Sequence, residues 1–135
     1  MNRIFADSYF FFAILSPHDA AHARAIDFGR RNRGPLLTTA WVLTEVADGL
    51  ASTPRRQVFR RVVEDLEANR LNLIVPANPE TFEKGVELYH ARPDKQWSLT
   101  DCISFVVMSE EQITEALTAD RHFEQAGFKA LLRKE

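Results

Sequence analysis

The chain has 135 residues, 45% of them hydrophobic and 27% charged, a balance that suits one globular domain with its own apolar core and excludes a disordered chain. A formal net charge of -2 excludes a general basic field, so any nucleic-acid binding must come from local arginine clusters or from metal ions. With one cysteine, Cys102, no intrachain disulfide can form, and a reducing, cytoplasmic location is the simpler expectation.

The chain opens on an apolar run, Arg3-Ile4-Phe5-Ala6, ended by Asp7-Ser8, and aromatic and aliphatic residues continue to Leu15; this predicts a buried strand and then a buried helix. Asp7 interrupts the apolar stretch, and Pro17-His18-Asp19 is a poor cleavage neighbourhood, so a signal peptide is not expected. No other run approaches the length of a membrane span. Residues 19–31, rich in Ala and Arg, predict a helix closed by Asn32-Arg33-Gly34-Pro35. Leu36-Leu37-Thr38 predicts a strand. Thr39 can cap a helix whose apolar positions Val42, Leu43, Val46, Ala47 and Leu50 recur at helical spacing.

Ser52-Thr53-Pro54 predicts the start of another helix, with Val58, Val62, Val63 and Leu66 facing inward. Residues 71–75, ended by Pro76, predict a strand, residues 79–90 a helix and residues 92–96 a polar loop. A further helix follows over 101–111, then a strand at 116–119 ending at Asp120, a short helix through Phe123, and an edge strand at 128–132 after Gly127. Strands alternating with helices imply βαβ units with right-handed crossovers. The expected fold is therefore α/β, a three-layer αβα sandwich around a mainly parallel sheet. With no repeat, low-complexity tract or linker, residues 1–135 are expected to form a single domain.

In an open parallel sheet, ligands bind beyond the carboxyl ends of the strands. Asp7 and Asp120 occupy such positions, Glu45 lies in the first turns of the helix capped by Thr39, and Asp101 begins another helix, so the four acids can converge. Converging carboxylates repel one another and are tolerated ionised mainly around a divalent cation, Mg2+ or Mn2+ by their hard oxygen donors. The chemistry this implies is hydrolytic phosphoryl transfer. Taken singly, however, Asp7, Asp101 and Asp120 are each explained as helix caps, which favour the helix dipole. Glu45, inside a helix, has no such explanation beyond a boundary position.

The segments around these acids resemble the PIN-domain family, which includes the VapC-like toxins of toxin–antitoxin pairs. They are Ile4-Phe5-Ala6-Asp7-Ser8, Thr38-Thr39-Ala40-Trp41-Val42-Leu43-Thr44-Glu45-Val46, Ser98-Leu99-Thr100-Asp101-Cys102 and Leu117-Thr118-Ala119-Asp120-Arg121-His122-Phe123. The resemblance covers nearly the whole chain and implies a Mg2+- or Mn2+-dependent endoribonuclease. The four acids would be its metal ligands and water-activating groups, with Ser8, Thr100 and Thr118 as hydroxyl support. It also implies an RNA substrate, an antitoxin partner and a homodimer. Tyr9 and Phe10 are bulkier than is usual after the first acid, and His122 stands where some members carry a further acid, which puts a second metal in question.

Other features have simpler readings. His18 and His22, four apart, could share a helix face, but with no third ligand nearby a solvent-exposed helix start is the simpler reading, and Cys102 reads as a small buried thiol. Arg55, Arg56, Arg60 and Arg61 form one basic stretch and Arg30, Arg31 and Arg33 another; either can hold phosphates or an acidic partner segment, or be a solvated face. Arg121 adjoins Asp120 and can contact RNA or simply balance the acids. Trp41 and Trp97 can stack on bases, but packing explains both. Two other functions compete with the nuclease: a PIN-like domain that binds RNA or a partner without cutting, and a phospho-receiver module. The latter needs an acceptor aspartate closing its third strand, where this chain has Val75-Pro76.

Overall fold

A computed structural model of the chain describes residues 2–32 and 34–134. Arg33, part of one predicted basic stretch, lies outside the described residues. The elements run β1 (Ile4–Ala6), α1 (Ser8–Leu15), α2 (His22–Arg31), β2 (Leu36–Thr39), α3 (Ala40–Leu50), α4 (Val58–Ala68), β3 (Leu73–Val75), α5 (Pro79–Ala91), α6 (Leu99–Glu110), β4 (Glu115–Leu117), α7 (Arg121–Gln125) and β5 (Lys129–Ala130). The five strands form one sheet in the order β3-β2-β1-β4-β5, and every pairing is parallel.

This order explains the location of the site. From β1 the chain steps outward through β2 to β3, then returns across the sheet to β4 on the other side of β1. Right-handed crossovers then put α1 to α4 on one face and α5 to α7 on the other, as the αβα expectation required. The direction of winding reverses between β1 and β4, so their carboxyl ends open a crevice at the switch point. The central strands are apolar because both faces are covered: Phe5, Ala6, Leu37, Ala116 and Leu117 are fully buried.

Local signals fix most helix starts. The Thr39 hydroxyl accepts from the Val42 amide at 3.1 Å, and Asn78 Oδ1 accepts from the Thr81 amide at 2.8 Å with Pro79 in the first turn of α5. The helix expected over 101–111 starts two residues earlier, at Leu99, with Ser98 as its cap, and two other predicted starts move later. The segment expected to begin a helix at Pro54 is a series of turns, and α4 starts only at Val58; the Thr53 hydroxyl accepts from the Arg55 amide, and the Thr53 carbonyl accepts from Arg56, in place of helical bonds. Likewise Asp19 does not lead directly into a helix. Its carboxylate accepts from the Ala21 amide at 2.8 Å in a turn, and α2 begins at His22.

The last two strands are shorter than expected. β4 ends at Leu117, where the Thr118 amide turns back to the Ala116 carbonyl at 3.0 Å. The edge strand shrinks to Lys129–Ala130, although Leu131 and Leu132 still donate to Ala116 and Thr118.

Helices α5 and α6 pack closely through Gly85, which is buried. A Cβ there would collide with the Ile103 side chain and stand 3.3 Å from the Ile103 Cα. Because backbone as well as side chain is met, Gly85→Ala is expected to destabilise the fold by about 1–3 kcal/mol, read from the urea midpoint; an unchanged midpoint would show that the two helices can separate freely.

Candidate carboxylate site at the sheet switch point

Asp7 follows β1 and is buried, 5% exposed. It stands at the N-cap position of α1 yet makes no side-chain capping bond, so the cap explanation fails for it. Instead its Oδ2 accepts from the Thr118 hydroxyl at 3.0 Å, across the crevice between β1 and β4. The turn that ends β4 early aims Thr118 at this carboxylate. A second threonine steadies the same edge: the buried Thr38 hydroxyl donates to the Ala6 carbonyl at 2.8 Å.

Burial pushes the Asp7 carboxyl up to about 7, and the charges of Asp101 and Glu45 push in the same direction, against the Thr118 hydroxyl and the Ser8 backbone. Asp101 is also raised, first by burial and then by the charge of Asp120, while the Ser98 backbone and His122 lower it. Each acid therefore feels its neighbour, in the order Glu45, Asp7, Asp101, Asp120, while Asp101 and Asp120 are the two of the four that lie within ligand-sharing distance of each other. Among the described residues, no lysine or arginine forms an ion pair with any of them.

Two of the four do cap helices. Asp101 forms a capping box with Ser98, its Oδ2 accepting from the Ser98 amide at 3.2 Å, and Asp120 Oδ1 accepts from the His122 amide at 2.9 Å. Capping and clustering are compatible here, because an N-cap bond uses one lone pair of a group with about four. Of the expected hydroxyl supports, Thr118 reaches Asp7 directly. Ser8 acts on Asp7 through its backbone, and the described bond of Thr100 is its carbonyl accepting from Ser104.

One residue noted in the sequence but not assigned to the site lies within it. His122 Nδ1 is 3.2 Å from Asp101 Oδ2 and 3.4 Å from Asp120 Oδ1. Its position two residues after Asp120, in a five-residue helix, was the available signal.

The remaining candidates fall outside. Arg121 is exposed beside Asp120, whereas Arg55 and Arg56 are exposed in the turns beyond the C-terminal end of α3, roughly 16 Å along the helix from its cap. Trp97 is buried, its Nε1 donating to Gln125 and its ring 5.0 Å from Phe105, so packing is its role. The buried Cys102 has its thiol pushed up by desolvation, and His22 Nδ1 lies 2.7 Å from the Ala13 carbonyl. No helix of the described residues is long and apolar enough to cross a membrane.

A buried carboxylate raised to about 7, the charges of Asp101 and Glu45 acting on it and no basic partner among the described residues fit a divalent cation with hard oxygen donors. Asp101, Asp120 and His122 each offer a ligand atom, all within 4.8 Å of one another.

The fold is shared with solved structures. Mycobacterium tuberculosis VapC20, described as a sarcin–ricin loop cleaving toxin, superposes with a TM-score of 0.82 at 22% identity, over 93% of this chain and 95% of that one. FitAcB from Neisseria gonorrhoeae gives a TM-score of 0.67 at 16% identity, over 94% of each chain. No curated protein sequence matches the chain. The family model of the PIN domain, however, matches residues 4–129. With that match, the parallel sheet wound about the β1–β4 crevice and the acids gathered at its mouth, the chain belongs to the PIN-domain family.

Proposed function

We propose that residues 1–135 act as one PIN unit, a Mg2+- or Mn2+-dependent endoribonuclease that is the toxin half of a toxin–antitoxin pair. The observation that carries this reading is Asp7: a buried acid with no basic partner, held at a ligand-binding crevice beside three further acids, makes sense as a cation ligand and costs stability otherwise. Asp7, Glu45, Asp101 and Asp120 would hold the ion. When bound, such an ion supplies Lewis acidity toward a phosphodiester and lowers the pKa of an attacking water.

The chain's own groups do the rest. The Thr118 hydroxyl holds the Asp7 carboxylate in one orientation, and the Ser98 box fixes Asp101 at the first turn of α6. Glu45, half-buried on α3 and close enough for its charge to act on Asp7, would be the chain's candidate proton acceptor. Arg121, exposed beside Asp120, would meet an RNA phosphate, while Arg55 and Arg56 would serve a more distant stretch of RNA or an acidic partner segment. RNA is the proposed substrate class, supported by the likeness in fold to VapC20, described as a sarcin–ricin loop cleaving toxin. A cytoplasmic homodimer neutralised by an antitoxin completes the reading, on the resemblance to VapC-like toxins.

The test is titration of Mn2+ into the wild type and the Asp7→Asn/Asp101→Asn double variant, with cleavage of a structured RNA assayed on the same samples. Metal uptake and cleavage are expected to disappear together in the double variant. Wild-type cleavage surviving in the double variant would refute the site, and metal uptake without any RNA cleavage would leave a binding module.

A further inference from the structure

We infer that His122 is a nitrogen ligand in this centre and biases it toward a first-row transition ion such as Mn2+ over Mg2+, an inference that rests on the metal-dependent reading above. The geometry is specific. His122 Nδ1, the ring atom that faces the acids, is 3.2 Å from Asp101 Oδ2 and 3.4 Å from Asp120 Oδ1. In an octahedral site with metal–ligand bonds of about 2.1 Å, adjacent ligand atoms stand ~3.0 Å apart, so these spacings match those of ligands sharing one ion. The three donors also lie within 4.8 Å of one another, close enough for one centre to serve all three.

The three side chains are held for the task. Asp101 is fixed by its capping box, Asp120 by the amide of His122 itself, and their side chains are 14%, 32% and, for His122, 22% exposed, so none of the three is sealed from solvent. With an ion bound, a ring carrying its proton on Nε2 would present the Nδ1 lone pair to that ion; without one, Nδ1–H is the donor to the Asp101 carboxylate. An all-carboxylate nest suits Mg2+ and Mn2+ alike, but an imidazole favours transition ions, and Mg2+ gives up its water reluctantly for a nitrogen donor. His122 thereby makes an oxygen site into a mixed nitrogen–oxygen one.

The experiment measures Mn2+ and Mg2+ affinities by calorimetry for wild type, His122→Asn, His122→Gln and the Asp7→Asn/Asp101→Asn double variant. Nitrogen modulation in the pulsed electron paramagnetic resonance signal of bound Mn2+ is recorded alongside. Expected are imidazole-nitrogen modulation in the wild type only, and a loss of about tenfold in Mn2+ affinity in both His122 variants with Mg2+ affinity nearly unchanged. His122→Gln keeps a hydrogen-bond donor within reach of the acids, so recovery of Mn2+ affinity in that variant would show the ring to be only a donor and overturn the inference. Mn2+ bound without nitrogen modulation, its affinity untouched by His122 substitution but lost in the double variant, would overturn it while sparing the carboxylate centre. Absence of metal binding from every protein, wild type included, would overturn both.

Discussion

Asp7→Asn is expected to lower RNA cleavage by at least about a thousandfold while making the metal-free protein more stable at pH 8. The loss of activity follows from removing the most buried charge of the centre. The gain in stability follows from the same burial. Asp7 titrates at about 7 in the fold against an ordinary value of 3.8, so a carboxylate that is ionised in the unfolded chain must be buried ionised above neutral pH.

The sign of the linkage is fixed by that rise. The folded state holds the proton more tightly, so stability is greatest below about pH 4 on this account and falls as pH rises through about 7, by about 4 kcal/mol in all. Asn does not titrate and escapes this loss, although its amide brings new donors into the pocket at a cost of about 1–3 kcal/mol. The net gain at pH 8 is then about 1–3 kcal/mol. Thermal melts of both proteins in chelator at pH 5 and pH 8 would show it as curves that diverge with pH; parallel curves, or an Asn variant less stable at pH 8, would contradict the assigned environment of Asp7. Added Mn2+ should narrow the difference by stabilising only the wild type.

Phe123→Ala is expected to destabilise the fold by about 3–5 kcal/mol. Phe123 is fully buried, its ring 6.2 Å from Phe5 and 5.0 Å from Phe105, which in turn meets Trp97 at 5.0 Å and Phe128 at 5.7 Å. This aromatic cluster ties α6 and α7 to β1. Since Asp120 and His122 flank the anchor, the variant should also bind Mn2+ more weakly than its folded fraction explains. Urea unfolding is the check, with Phe82→Ala as the control because Phe82 is 44% exposed and should cost far less. A Phe123 cost no larger than that of Phe82 would mean that the cluster is not what seats the site.

On these two predictions, stability and the proposed function oppose each other at Asp7 and act together at Phe123. At Asp7 the crevice holds a charge that the apolar core would exclude; at Phe123 the core positions the helix that carries two of the polar groups.

The class of fold was legible in the sequence, and so were the four acids as candidates. Alternating strand and helix patterns produced an α/β reading, and cap residues such as Thr39 announced helix starts, because both signals are local. That reading failed at residues 52–57, where the Thr53 hydroxyl and carbonyl take the Arg55 and Arg56 amides into turns. It also overran β4, where a turn at Thr118 ends the strand two residues early.

Tertiary structure alone decided the rest. Only the strand order β3-β2-β1-β4-β5 sets β1 beside β4, and with them Asp7 beside Thr118, 111 residues later in the chain. Only packing distinguished Asp7, which caps nothing, from Asp101 and Asp120, which cap and cluster at once. His122 entered the site for the same reason: its neighbours in space come from two helices, and no periodicity within one helix reports which residues another will bring against it.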